Sequence, residues 1–119
     1  KRIDGQMNVL EYTIHHEDVR RAVGEWEERK DLDELQEIIW KIQKRSAQLM
    51  ARKLEDIDLT LSRPSGEIAR IGETGRQVTL VGEPIELAMF MTGRREKSLV
   101  EISGDDSAIT EMRLGNLGY

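Results

Sequence analysis

The sequence predicts an α+β fold, in which strands form one sheet and helices cover one of its faces. Three observations support this class. Apolar residues recur at helical spacing through the first fifty residues, alternate with polar residues over 57–62, and form a compact run after Pro84. The expected order of elements is helix, helix, three strands, helix, strand, helix. The short steps between the first three strands predict an antiparallel meander, because parallel neighbours need a long crossover.

Two helices are expected before the sheet. The first runs from about Ile3 to Val23 and ends at Gly24. We expect the apolar stripe along this helix to be exposed. Two copies of the chain could then associate through it. The stripe consists of Ile3, Met7, Leu10 and Ile14. The second helix opens at Asp31, which forms a capping-box pattern with Glu34. Trp40 lies off its apolar stripe and is expected to pack in the core.

Alternation and turn residues define the second half. Strands are expected over 57–62, 67–71, 77–81 and 98–103. Pro84 is suited to the first position of a helix that ends at Gly93. Asp105 is a candidate cap for the last helix, which carries Ala108, Ile109 and Met112.

Composition excludes several classes of function. The chain has 119 residues, a formal net charge of −5 and no cysteine. The net negative charge gives no indication of a basic surface that would bind nucleic acid. Without cysteine, a thiol-dependent reaction would take its thiol from a cofactor. No apolar run reaches the roughly 20 residues of a membrane helix, so cytoplasm is the expected location.

The most chemically capable side chains lie between Glu11 and Arg21. On a helix, Glu11 and His15 are one turn apart on the same face and are placed to share one ion. His16 points about 100° away from His15 and falls outside such a site. Glu11, His15 and Asp18 are expected along the half-buried edge of the apolar stripe. The alternative is an ordinary hydrogen bond or ion pair between Glu11 and His15.

The segment from Asn8 to Ala22 resembles the last bundle helix of actinobacterial metal-binding proteins related to mycothiol-dependent maleylpyruvate isomerase. In that family a DinB-like four-helix bundle precedes a smaller α+β domain. The resemblance continues at three later segments, which fall in the order and spacing of the family's C-terminal domain. These segments are Arg63-Pro64-Ser65-Gly66, Gly82-Glu83-Pro84 and Met91-Thr92-Gly93-Arg94-Arg95.

The resemblance implies a division of the chain. Residues 1–24 would be the last helix of a truncated metal-binding bundle whose earlier helices are absent. Residues 25–119 would be a sterol-carrier-like domain, with a mostly antiparallel four-stranded sheet packed against helices. The chain begins with Lys1 and not Met, which fits this expectation.

The resemblance also implies the site. Glu11 and His15 would be two ligands of a divalent metal, usually zinc, with a histidine from an earlier helix as the third. Arg94 would be the catalytic and cofactor-binding residue, facing the thiol cofactor, mycothiol, or the substrate. Asp18 would orient His15. Independently of the family, Arg94 is also suited to capping the negative end of the preceding helix.

Two functions follow from these observations. In the first, the chain is the C-terminal part of a metal- and thiol-dependent isomerase or transferase and is inactive without the rest of its site. In the second, it is a non-catalytic module that binds a small apolar ligand between sheet and helices, and Glu11 and His15 are structural. Isolated glycines at 72, 75 and 82 lack a phosphate-binding pattern. No nucleophile elbow is present, which argues against a serine hydrolase.

Overall fold

The computed structural model describes residues 5–22, 26, 32–51, 56–72 and 75–114, with the backbone alone at 5–8, 47–51 and 113–114. Within these residues the chain forms four α-helices and one four-stranded sheet, which confirms the α+β class. The helices are α1 (Gly5–Arg21), α2 (Asp33–Ala51), α3 (Pro84–Met91) and α4 (Asp106–Leu114). The strands are β1 (Ile57–Ser62), β2 (Ile68–Ile71), β3 (Arg76–Val81) and β4 (Glu101–Gly104). The expectations for Ile3, Gly24, Asp31 and the side chain of Met7 lie outside this description.

The sheet is mixed, and the predicted meander is wrong. Its strand order is β2-β1-β3-β4, with β1 and β3 parallel and the two outer pairs antiparallel. The crossover rule still holds, because the thirteen residues 63–75 separate β1 from β3 and include all of β2. Strand β2 returns to the end of the sheet where β1 began, and β1 lies between β2 and β3, so the short connection from Gly72 to Gly75 has to pass the start of β1.

Two glycines make that passage sterically accessible. Gly72 and Gly75 have φ angles of 91° and 114°, in the region that glycine adopts at little cost. A Cβ on Gly75 would lie 2.4 Å from the carbonyl carbon of Asp56, and one on Gly72 would lie 2.9 Å from the carbonyl oxygen of Ile57. The chain therefore crosses the start of β1 in direct contact with its backbone.

Helix α3 is the centre of the molecule, because all eight of its residues are buried. One side of it packs against the sheet through Leu87, Phe90 and Met91. Its other side packs against α1 and α2 through Ile85, Ala88 and Met89. Trp40 joins the sheet-side core and is 1% exposed, which confirms its predicted packing role.

The apolar stripe of α1 is covered within the chain. Leu10 and Ile14 are 1% and 8% exposed and share a hydrophobic cluster with residues of α2 and α3. The expectation that this stripe is left uncovered is therefore wrong for its described members, because α3 supplies the apolar partner. Self-association through the first helix stays a prediction. Among the described residues, no helix combines the length and apolar character needed to cross a membrane.

The chain between α3 and β4 differs from the prediction. A single 3₁₀ turn covers Arg95–Lys97, and β4 begins only at Glu101, three residues later than the predicted strand. Asp105 caps α4 as predicted, accepting a hydrogen bond from the Ala108 backbone at 3.0 Å. A hydrogen bond from the Ser107 hydroxyl, together with the bond from Ala108, lowers the pKa of Asp105.

Candidate functional site

Glu11 and His15 lie on the outer surface of α1, and both are exposed. The predicted half-buried edge is not found there. The buried side of α1 holds Thr13, Glu17 and Arg21 together with the apolar stripe. At about 100° per residue, this buried side is centred about 40° from the axis of the apolar stripe, away from Glu11 and His15. Both side chains therefore face solvent, one turn apart.

Neither side chain is committed to a partner. Within the part of the chain that the structure describes, Glu11 and His15 form no hydrogen bond or ion pair, with each other or with any other group. The helix-edge bond that was the alternative interpretation is not formed. No group of three or more histidine or acidic side chains is arranged to hold a metal among the described residues. The pair thus offers two uncommitted ligand groups.

Arg94 contacts the same helix, although it lies 76 residues after Asp18 in the sequence. Its Nε lies 3.2 and 3.3 Å from the two carboxylate oxygens of Asp18, and its Nη2 lies 3.1 Å from Asp18 Oδ2. Asp18 is three residues after His15, about 4.5 Å further along the helix axis. Asp18 therefore binds Arg94, and it does not orient His15 as expected. Arg94 therefore contacts α1 at Asp18, one turn after His15 and two turns after Glu11.

The end of α3 fixes Arg94. Gly93 has a φ angle of 92°, and the Arg94 backbone N–H donates to the Met89 carbonyl at 2.8 Å, which ends the helix. Arg94 Nη1 also donates to the Thr92 carbonyl oxygen at 2.8 Å. The capping role expected for Arg94 is therefore present together with its contact to α1, and the two roles do not exclude each other.

The loop that carries Arg94 is cationic. Residues 93–97 line a cleft of about 300 Å³ and include two arginines, one lysine and one glutamate. The guanidinium carbon of Arg95 lies 5.8 Å from the centre of the Phe90 ring, which directs this side chain back toward α3. A positive cleft of this size next to the Asp18 pair is suited to a small anionic group.

A second arginine, Arg21, connects α1 to α3 in the interior. Arg21 Nη1 and Nη2 donate to the two carboxylate oxygens of Glu86 at 2.7 and 2.5 Å, while its Nε donates to Glu17 at 2.8 Å. All three side chains are at most 2% exposed. The Arg21 Cζ also lies 4.3 Å from the centre of the Trp26 ring. Sequence reasoning missed this network, although helical spacing places Glu17 and Arg21 on the same face as Leu10 and Ile14.

The network extends to the chain beyond Arg94. Arg21 Nη1 donates to the Lys97 carbonyl oxygen at 2.6 Å, and Glu86 accepts from the Leu99 backbone N–H at 2.8 Å. Burial works against the charge of Arg21, but the hydrogen bonds of Glu86 and Glu17 outweigh it and raise the pKa of Arg21. The buried triad therefore fixes the position of the 93–99 segment on α1.

The region between sheet and helices is occupied by side chains. Leu59, Leu61, Leu80 and Leu87 are each 0% exposed there. A second cleft, of about 580 Å³, lies outside this core at the end of β3, with Val81, Leu99 and Glu101 among its lining residues. An apolar ligand held between sheet and helices would have to displace the core.

Comparisons with known proteins add no relative. No family model matches the sequence, and searches of curated proteins and of solved structures found no match. The residues of this chain and their geometry are therefore the basis for a function.

Proposed function

We propose that this chain is the C-terminal part of a divalent-metal-binding protein that uses a low-molecular-weight thiol, in the manner of the mycothiol-dependent maleylpyruvate isomerases it resembles. Glu11 and His15 supply two ligands to the metal, and Arg94 binds an anionic group of the thiol cofactor or substrate. The full site would carry out an isomerase or transferase reaction. The proposal places the protein in the cytoplasm, where such thiols are kept reduced.

One observation carries the proposal. Arg94 and the ExxxH pair are about 80 residues apart in the sequence, yet Arg94 binds Asp18, which follows His15 by a single turn of α1. The buried triad of Glu17, Arg21 and Glu86 holds the segment after Arg94 on α1 and so keeps Arg94 next to Asp18. The meeting supports a shared site made from the first helix and the loop after α3.

The donor chemistry fits a zinc ion. One carboxylate and one imidazole, four residues apart and both uncommitted, are common zinc ligands, and a third protein ligand completes a typical catalytic set. That third ligand must come from a group other than the described histidine and acidic residues, since these form no cluster of three. A bound zinc would lower the pKa of a thiol or water and so provide a nucleophile at neutral pH.

Zinc titration tests the assignment. We expect the chain to bind Zn²⁺ weakly in isothermal titration calorimetry, because it offers two ligands, and His15→Ala to abolish that binding. His16→Ala is the matched control, since His16 is the next residue, is also exposed and points about 100° away. Equal losses in both variants, or no loss in His15→Ala, would show that the ExxxH pair is not the metal site.

The alternative of an apolar ligand module makes a different prediction. It requires protein purified without chelator to contain no zinc and to carry an apolar molecule. Since leucine side chains fill the region between sheet and helices, such a ligand would have to occupy the outer cleft beside Leu99. Mass spectrometry of the native protein distinguishes this outcome from bound metal.

A further inference from the structure

Two arginine–carboxylate pairs attach α1 to the rest of the chain, and their geometry differs. The pair of Arg21 and Glu86 has N–O distances of 2.7 and 2.5 Å and is at most 2% exposed. The pair of Arg94 and Asp18 has distances of 3.1 to 3.3 Å, and its side chains are 40% and 37% exposed. Close charge-assisted bonds measure about 2.7–2.9 Å, so the second pair is loose.

We propose that the Arg94 guanidinium is an exchangeable anion site whose internal occupant is Asp18, which a carboxylate or phosphate group of a ligand displaces. The proposal deepens the proposed function, because it states the ligand class of the same site. In the ligand-free chain Asp18 closes the site. When an anionic ligand arrives, it takes the place of the Asp18 carboxylate on Arg94, and Asp18 turns to solvent.

Arg94 is held in place independently of Asp18. Its Nη1 donates to the Thr92 carbonyl, and its backbone N–H is bonded to Met89. The Nε and Nη2 edge that faces Asp18 is the planar fork that recognises two oxygens of one carboxylate or phosphate. When the Asp18 carboxylate moves away, the Nε and Nη2 edge of Arg94 therefore keeps its position and is available to another anion.

Displacing Asp18 has a small cost. An ion pair between partly exposed side chains contributes little, because both charges are hydrated when apart. The incoming anion also meets a net positive charge, because Arg94, Arg95 and Lys97 line the same cleft with one glutamate, Glu96. A ligand with a dense negative charge is thus favoured over the single carboxylate of Asp18.

The position of the exchange defines the ligand. An anion seated where the Asp18 carboxylate lies would be about one helical turn from His15. The ligand class is therefore a molecule with a carboxylate or phosphate that binds Arg94 and a second group that reaches the Glu11 and His15 pair.

Inorganic phosphate is the test probe. We would titrate it into the chain at pH 7 with chelator present, following the Arg94 Nε–H signal and the amides of 93–97 by NMR. We expect Asp18→Asn to tighten phosphate binding about two- to fivefold, the contribution of one exposed ion pair. Arg94→Gln should weaken binding at these amides, and the double variant should show no gain over Arg94→Gln.

Asp56→Asn is the matched control. Asp56 also forms a loose exposed pair with an arginine, at 3.2 Å from Arg76, and its replacement changes the net charge by the same amount. We expect it to leave phosphate binding unchanged. Unchanged or weaker binding in Asp18→Asn, equal tightening in Asp56→Asn, or no phosphate binding in either wild type or Asp18→Asn would overturn the proposal. Because no metal is present, this result is independent of the zinc titration.

Discussion

Arg21 of α1 and Glu86 of α3 form a buried two-bond ion pair across 65 residues of sequence. Glu17 binds the same guanidinium at 2.8 Å, so one buried cation is shared by two buried carboxylates. Arg20, which is 25% exposed, supplies a second positive charge to Glu17. Charges removed from water in this way are stable only while all partners are present. The position of α1 on the rest of the chain depends on Arg21.

Removal of the buried arginine should be strongly destabilising. We expect Arg21→Gln to lower the free energy of unfolding by about 3–5 kcal/mol, because it leaves Glu86 buried without its cation. Arg20→Gln, which removes the other arginine that binds Glu17, should lower the free energy of unfolding by about 1 kcal/mol or less. Urea denaturation at pH 7 measures both. Similar losses in the two variants would contradict the central role of Arg21.

Acid should weaken the same network through Glu17. Burial would raise the pKa of Glu17, but hydrogen bonds from Arg20 and Arg21 lower it below its ordinary value. The unfolded chain therefore takes up this proton at a higher pH than the folded chain does. The resulting stabilisation is present above the unfolded pKa of about 4.5 and is lost as pH falls through the lower folded pKa.

Glu17→Gln isolates this effect. It should be less stable than wild type at pH 7, and the difference in unfolding free energy should shrink as the pH falls below about 4.5, the unfolded pKa of Glu17. Urea denaturation at several pH values gives the difference. A gap that is constant across these pH values would show that the charge of Glu17 contributes nothing.

The central position of α3 predicts a contrast between two leucines. Leu87 is 0% exposed and packs against the sheet, whereas Leu99 is 51% exposed. We expect Leu87→Ala to cost about 2–5 kcal/mol, since it leaves a cavity, and Leu99→Ala to cost about 0.5 kcal/mol or less. Thermal and urea unfolding of the two variants measure the contrast, and equal costs would place α3 outside the core.

The contact of Gly75 with the start of β1 predicts that two glycines differ in how strongly an alanine substitution destabilises the chain. Gly66 and Gly75 both have positive φ angles, so alanine is strained by about 1–3 kcal/mol at either position. Only Gly75 also lies against backbone, with a Cβ position 2.4 Å from an atom of Asp56, while Gly66 has no atom within 4 Å. Gly75→Ala should therefore have the lower melting temperature. The opposite order would place the connection elsewhere.

The elements were predictable because each has a local signal. The alternation over 57–62 and Pro84 before an apolar run placed β1 and α3 correctly. Strand order was not predictable from that signal. Apolar and polar residues alternate in the same way in a strand whichever strand lies beside it. The close approach of Gly72 and Gly75 to the backbone of Ile57 and Asp56 exists only in the folded chain, so the sequence does not reveal it.

The one-turn spacing of Glu11 and His15 on α1 was predictable, and the surroundings of these two residues were not. Helical spacing placed Glu11 and His15 together, but the apolar stripe alone gave the wrong centre for the buried side of α1. Glu17 and Arg21 lie near that centre, and charged residues are ordinarily assigned to the surface. The carboxylate that pairs with Arg21, Glu86, is 65 residues away, so no local pattern reveals it.

Paramagnetic Co²⁺ provides the most direct measurement of the proposed site. Added to the ¹⁵N-labelled chain, it should broaden the signals of Glu11, His15 and the Arg94 Nε–H first, because Arg94 meets α1 one turn beyond His15. Signals of 106–112 in α4 should stay sharp at the same concentration. Broadening centred on His16, or Arg94 signals unaffected while His15 broadens, would contradict a site shared by α1 and the loop after α3.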